Sequence, residues 1–260
     1  MGFRGLQEVR ENEAGSFRTT VEMFVDRTLM TSTRTPSPFT DVTEIVHYSY
    51  HAAIVPRVPE TARRVLDLGC GGGALGEAIK KRLPDCEVTG ITISAREGEE
   101  CAKKLDKVLV EDLGEYDFRE LGAFDCVICS GILGYFLEPQ QLLLKACDCL
   151  RERNGALIVM HPNVLQLSQR MAFLRGQFSY ATGSVLDQFS VRFFDYDTIH
   201  ALVRDSGFTV LERTGEGHFP LPGVRRLLGP VAGTIDRLAV RANPGLFVGE
   251  AILVAQPTKK

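Results

Sequence analysis

The sequence predicts an α/β protein: a doubly wound, mostly parallel, seven-stranded sheet with helices on both faces, preceded by a helical N-terminal extension. Three observations lead there. From residue 61 onward, short runs rich in Val, Ile and Leu alternate with longer helix-patterned stretches. The short runs are apolar on nearly every residue, as strands covered on both faces must be. The first of them opens "VLDLGCGGGALGEAI", Val65 to Ile79, where an apolar strand passes through a glycine-rich loop into a helix-compatible tail.

Residues 1–60 form the expected extension. "FRTTVEMFVDRTLM" places Val21, Phe24, Val25 and Leu29 near helical spacing, and "TSTRTPSPFT" is a loop by its Pro, Ser and Thr content. "DVTEIVHYSYHAAIVPRV" predicts a helix capped at Asp41 or Thr43 and stopping near Pro56. The main domain, 61–260, then alternates. "RRVLDLGC", "CEVTGITIS", "KVLVEDL", "FDCVICSGI" and "GALIVMHPN" are strands. "GALGEAIKKRLP", "AREGEECAKKL" and "PQQLLLKACDCLR" are the helices between them. "DYDTIHALVRDSGF" is a later helix leading into the strand "TVLERTG", and "LFVGEAILVAQP" is a last strand, expected to be antiparallel. Two inserts interrupt this order, at 164–190 with the amphipathic "LQLSQRMAFLRG" and at 218–245 with "GVRRLLGPVAGTIDRLAVR". Both follow strands of the second half, where inserts can wall a site at the strand carboxyl ends.

Composition narrows the function. Apolar residues are 44% and charged residues 24%, ordinary for a globular protein, and the formal net charge is −3. Without a basic excess, a phosphate-tracking nucleic-acid surface is not expected. No apolar run reaches the length of a membrane span, and the N-terminus lacks a signal-peptide core. The expectation is a cytoplasmic protein acting on a small-molecule substrate, with a homodimer as a candidate assembly. The seven cysteines read as buried free thiols. Cys126 and Cys129 lie in one strand, on opposite faces, so they are not read as a metal pair, and no metal is expected.

Three ligands compete for the glycine loop. A triphosphate loop requires a lysine directly after the glycines, and none follows until Lys80. The dinucleotide pattern fits Gly69, Gly71 and Ala74, but the acid expected about 20 residues on is Thr92. Thr92, Ser94 and Arg96 would suit a 2′-phosphate, which keeps an NADP-dependent oxidoreductase open. The third ligand is S-adenosylmethionine. Asp67, beside the loop, would repel a pyrophosphate but can order the ammonium end of an uncharged-linker nucleoside such as this one.

Asp67, Gly69, Gly71 and Gly73, in the pattern Asp-x-Gly-x-Gly-x-Gly, resemble the first motif of class I S-adenosylmethionine-dependent methyltransferases. "KVLVEDL" is similar to the family's third strand, and "FDCVICSGILGYFLEPQQLLLKACDCLRERNGALIVMHPN" to its fourth strand, helix and fifth strand. "VLDQFSVRFFDYDTIHALVRDSGF" resembles a segment of small bacterial methyltransferases of surface-sugar and natural-product pathways. The resemblance covers about 65–215 and implies a Rossmann-like fold, S-adenosylmethionine as cofactor, and methyl transfer to a small molecule. It implies cofactor contacts at Thr92 and Ile93 after the second strand, at Asp112 and Leu113 after the third, with Asp112 meeting the adenine amino group, and at Ser130 after the fourth.

The departures shape the remaining expectations. Thr92 stands where the family has a ribose-binding acid, with Glu111 or Ser94 as candidate substitutes. "LGY", Leu133 to Tyr135, replaces Leu-x-His, and "DQFSVRFF" lacks the histidine usual before "RFF". The acceptor side is therefore expected to use Tyr50, Tyr135, His161 and Tyr180, with Asp187 as a further candidate. His47, Tyr48, Tyr50 and His51 would form a lid over the methionine end. An intramolecular displacement releasing methylthioadenosine, and a non-catalytic cofactor-binding partner, are the alternatives. Arg225 and Arg226 of "VRRLL" read as a solvated helix face.

Overall fold

The computed structural model describes residues 46–47, 50–181, 183–219 and 230–259. The expected helix at 17–30, most of the lid and the "VRRLL" arginines lie outside the described residues. Seven strands form one sheet: β1 (Arg64–Leu68), β2 (Glu87–Thr92), β3 (Lys107–Val110), β4 (Cys126–Ser130), β5 (Ala156–Pro162), β6 (Phe208–Gly217) and β7 (Val248–Pro257), in the order 3-2-1-4-5-7-6. The first five pair in parallel. β7 runs antiparallel to both neighbours, and it lies between β5 and β6 rather than at the edge.

The helices are α1 (Ala74–Arg82), α2 (Ala95–Cys101), α3 (Pro139–Arg151), α4 (Leu167–Leu174), α5 (Tyr196–Asp205), α6 (Pro230–Ala242) and α7 (Pro244–Phe247). Their ends follow local chemistry. Pro139 starts α3, where its missing N–H costs nothing. The Asp195 carboxylate caps α5 by accepting from the backbone N–H groups of Asp197 and Thr198.

Alternation along the buried strands splits the core into two layers. Leu66, Leu68, Val127, Cys129, Leu157 and Val159 face α3 and α5 residues on one side. Val65, Val88, Cys126, Ile128, Ile158 and Met160 face α1 and the N-terminal segment on the other. Cys126 and Cys129 thus fall in different layers, as period-two geometry requires. All seven cysteines are buried, and none is in a disulfide bond.

The order reverses between β1 and β4, with β1 leading outward to β2 and β4 outward to β5. In such sheets the crevice beyond the strand carboxyl ends at this point holds ligands, so the glycine loop after β1 and the turn after β4 flank it. One expectation changes here. The helix read across 41–58 is not continuous: residues 46, 47 and 50 are non-helical, and Ala52–Arg57 form a 3-10 helix. The reason is tertiary. The His47 backbone is drawn away from helical pairing, its N–H to Glu97 and its carbonyl to the N–H of Gly72, and Pro56 withholds a donor inside the turn. No described helix is long and apolar enough to cross a membrane.

Candidate cofactor and acceptor site

The glycine loop is a backbone device. The Gly69 and Cys70 N–H groups donate to the Ile91 carbonyl, at 2.9 and 3.0 Å, pinning the loop to the end of β2. The loop then turns through Gly71 and Gly73 at φ +53° and +78°, a region that costs other residues about 1–2 kcal/mol. At Gly71, a Cβ would sit 2.9 Å from the His47 carbonyl oxygen and 3.6 Å from Glu97 Oε1. Lys104 closes the outer side, its ammonium donating to the Gly72 carbonyl at 2.6 Å.

Asp67 ends β1 almost completely buried, and its Oδ2 has no hydrogen-bond partner among the described residues. Burial pushes its carboxyl up to about 7. An orphaned buried acceptor is costly, and a donor brought by a ligand would offset that cost. The loop and this acid therefore fit a ligand carrying an ammonium group, as the sequence implies.

After β2, the Thr92 hydroxyl donates to Glu97 Oε2 at 2.6 Å and accepts from the Ser94 N–H at 3.2 Å. Its donor is already engaged. The charge in this corner belongs instead to Glu97, buried in the first turn of α2 and capped by Ser94. Glu97 Oε1 accepts from the His47 N–H at 3.0 Å and faces His47 Nδ1 at 2.9 Å. Burial works to raise the Glu97 carboxyl, but the hydrogen bonds from His47 and Thr92 hold it below its usual range. The same bond raises His47, against partial burial and with the Glu97 and Asp187 charges assisting. Sequence reading passed over Glu97. Its signal was the Ser-x-x-Glu capping spacing from Ser94.

Ile93 and Asp112 follow adjacent paired strands. Ile93 exposes 41% of its surface, an apolar platform next to Thr92, whereas Leu113 is buried. Asp112 Oδ1 accepts from the Gly114 N–H at 2.8 Å, which fixes the carboxylate in the turn. Ser130 ends β4, and Gly131 follows at φ +75° with nothing within 4 Å of a Cβ position.

The expected acceptor-side residues separate. Tyr135 lies in the 3-10 turn Leu133–Tyr135 after β4. Burial raises its phenol, and the Asp187 and Glu97 carboxylates add to the shift. Asp187 is buried in the insert, accepting from the Gly183 and Phe189 N–H groups. The Glu97 and Asp187 carboxylates thus act on both His47 and Tyr135. His161 lies behind the 133–135 turn: a Cβ on Gly134 would be 3.2 Å from its Nε2. Its Nδ1 lies 3.0 Å from the Pro162 carbonyl, where only a protonated Nδ1 can bond, so the lone pair falls on Nε2, which lacks a partner among the described residues. Burial lowers this imidazole to about 4. Tyr50 is exposed. Tyr180 is exposed on the first insert, edge-on to Phe178.

A family model described as a methyltransferase domain matches residues 44–213. An uncharacterized protein of Synechococcus is 29% identical over 145 residues, which are 50% of this chain and 35% of that protein. The chain thus spans about a third of that relative's length. A ubiquinone biosynthesis O-methyltransferase of Thiobacillus denitrificans is 27% identical over 178 residues, 66% of this chain and 75% of the relative. Among solved structures, a SAM-dependent methyltransferase from Archaeoglobus fulgidus superposes with a TM-score of 0.55 at 19% identity, covering 78% of this chain and 91% of that one.

Proposed function

The chain belongs to the class I S-adenosylmethionine-dependent methyltransferase family, and from that premise we propose that it methylates a small-molecule acceptor of the natural-product or sugar type. The family assignment sets aside the NADP-dependent oxidoreductase. When bound, S-adenosylmethionine supplies a methyl group on an activated sulfonium. The chain's own residues do the rest. Gly69, Gly71 and Gly73 would admit close backbone approach, Asp67 would accept from the ammonium end, Ile93 and Leu113 would flank the base, and Asp112 would accept from its amino group. Ser130, at the end of β4, would be a further cofactor contact.

The observation that carries the acceptor reading is the placement of Tyr135 and Asp187: Tyr135 ends the turn whose Ile132 side chain a Cβ on Gly69 would meet, and the loop of Asp187 is bonded to that turn by the Val191 N–H on the Gly134 carbonyl. These side chains can orient a polar acceptor for in-line displacement, where alignment supplies much of the acceleration. His47 is engaged by Glu97, and the neutral imidazole of His161 is buried behind the turn, so neither is placed as a base at the open side of the site. That favours an acceptor atom that is nucleophilic, or ionises readily, without a strong base. Tyr50 and Tyr180, both exposed, remain candidates for contacts with a larger acceptor.

The test is twofold. Calorimetry with S-adenosylhomocysteine should show binding by the full chain, and absence of binding overturns the reading. Incubation with S-adenosylmethionine and a panel of phenolic, sugar and carboxylate acceptors, read by nucleoside chromatography, should yield S-adenosylhomocysteine. Methylthioadenosine instead would establish the displacement alternative.

A further inference from the structure

We propose that Glu97 supplies the ribose-binding carboxylate missing at Thr92, and that His47, from the segment before the sheet, is the positioning residue that holds it over the glycine loop. The inference rests on the S-adenosylmethionine reading above. It begins from the end of β2, where the chain has a hydroxyl instead of an acid. That hydroxyl donates to Glu97 Oε2 at 2.6 Å, so Thr92 is bound to a carboxylate carried by the next helix. Glu97 Oε1 lies 3.6 Å from a Cβ position on Gly71, close above the loop that the cofactor must approach.

A carboxylate placed there only for packing would be an expensive choice. Glu97 is 6% exposed, and a buried charge needs several partners. Its partners are Thr92 on one oxygen and the His47 N–H and imidazole on the other. An ionised carboxylate has about four lone-pair sites, and three are used. The fourth, on Oε2, remains for one ribose hydroxyl. The bond so formed is charge-assisted, which a threonine alone cannot offer.

His47 makes the arrangement conditional. It also spans to the loop itself, its carbonyl accepting from the Gly72 N–H at 2.8 Å. One residue therefore fixes both the glycine loop and the carboxylate above it. The groups facing this pair are Asp187 from the first insert, whose charge favours the imidazolium, and the Tyr135 phenol and Cys70 thiol, both of which feel Glu97. His47 is raised above its usual value, so the clamp is complete below that raised value and loosens as pH rises through it.

Calorimetry with S-adenosylhomocysteine and its 2′-deoxy and 3′-deoxy analogues tests this. For the unaltered protein, one deoxy analogue should bind about tenfold more weakly than the parent. Glu97→Gln should weaken the parent about tenfold and abolish the discrimination between parent and that analogue. The unaltered protein should lose affinity several-fold as pH rises above the imidazole's value, and His47→Gln should flatten that profile. Should Glu97→Gln fail to fold, the analogues on the unaltered protein decide alone. Equal affinity for all three nucleosides, or discrimination that survives Glu97→Gln, overturns the proposal. No binding of the parent nucleoside by the unaltered protein would instead sink the cofactor reading.

Discussion

Replacing Gly71 by Val tests the glycine loop most directly. Gly71 holds φ at +53°, and a Cβ there would meet the His47 carbonyl oxygen at 2.9 Å and the His47 Cβ at 3.1 Å. The left-handed backbone costs about 1–2 kcal/mol in a residue with a Cβ. Displacing His47 breaks its bond to the Gly72 N–H, about 0.5–1.5 kcal/mol more. The expected loss is about 1.5–3.5 kcal/mol, or about 3–14 °C in Tm for a domain of this size. The fold should survive, because Gly71 lies in the loop between β1 and α1 rather than in either core layer. S-adenosylhomocysteine binding should fall by at least about 100-fold, about 2.8 kcal/mol. Gly176→Ala is the control: it has φ +70° and nothing within 4 Å of its Cβ position. It should lose only the strain energy and leave affinity unchanged. A folded Gly71→Val protein with calorimetric affinity within threefold of the unaltered chain would refute the close-approach argument.

Three further outcomes follow from the site. Asp112→Ala should weaken S-adenosylhomocysteine binding by about 1–3 kcal/mol, and the unaltered protein should prefer the adenosyl to the inosyl nucleoside; equal binding of the two would remove Asp112 from the adenine. Asp67→Asn should leave the unliganded protein at least as stable at pH 8, since burial disfavours the charged carboxyl, while weakening cofactor binding; loss of stability without loss of affinity in paired melting and titration measurements would contradict this. His161, lowered to about 4 by burial, stays neutral in the native state while the unfolded chain takes up its proton below about 6.5. The unfolded state then binds more protons, so stability falls as pH falls between about 6.5 and 4. From pH 7 to pH 5 the unaltered protein should lose about 2 kcal/mol more than His161→Gln, and equal denaturant-measured losses would place His161 in a wetter setting.

Much of this protein is written locally in its sequence. The buried strands appear as unbroken apolar runs, and Pro139 to Arg151 reads as a helix with the bounds observed. Asp67 and the glycines after it named the cofactor loop, because its geometry depends on residues adjacent in the chain. The placement of β7 between β5 and β6 was not legible, since an apolar strand records that it is buried but not between which partners. Nor was the end of the helix expected through His47: its propensity was overruled by Gly72 and Glu97, far along the chain. Glu97 itself was passed over, and the substitute for the missing acid was sought at Glu111 or Ser94. Only the fold brings α2, the glycine loop and the N-terminal segment to one point, and the hydrogen bonds from His47 and Thr92 at that point turn an ordinary glutamate into a held, ionised carboxylate.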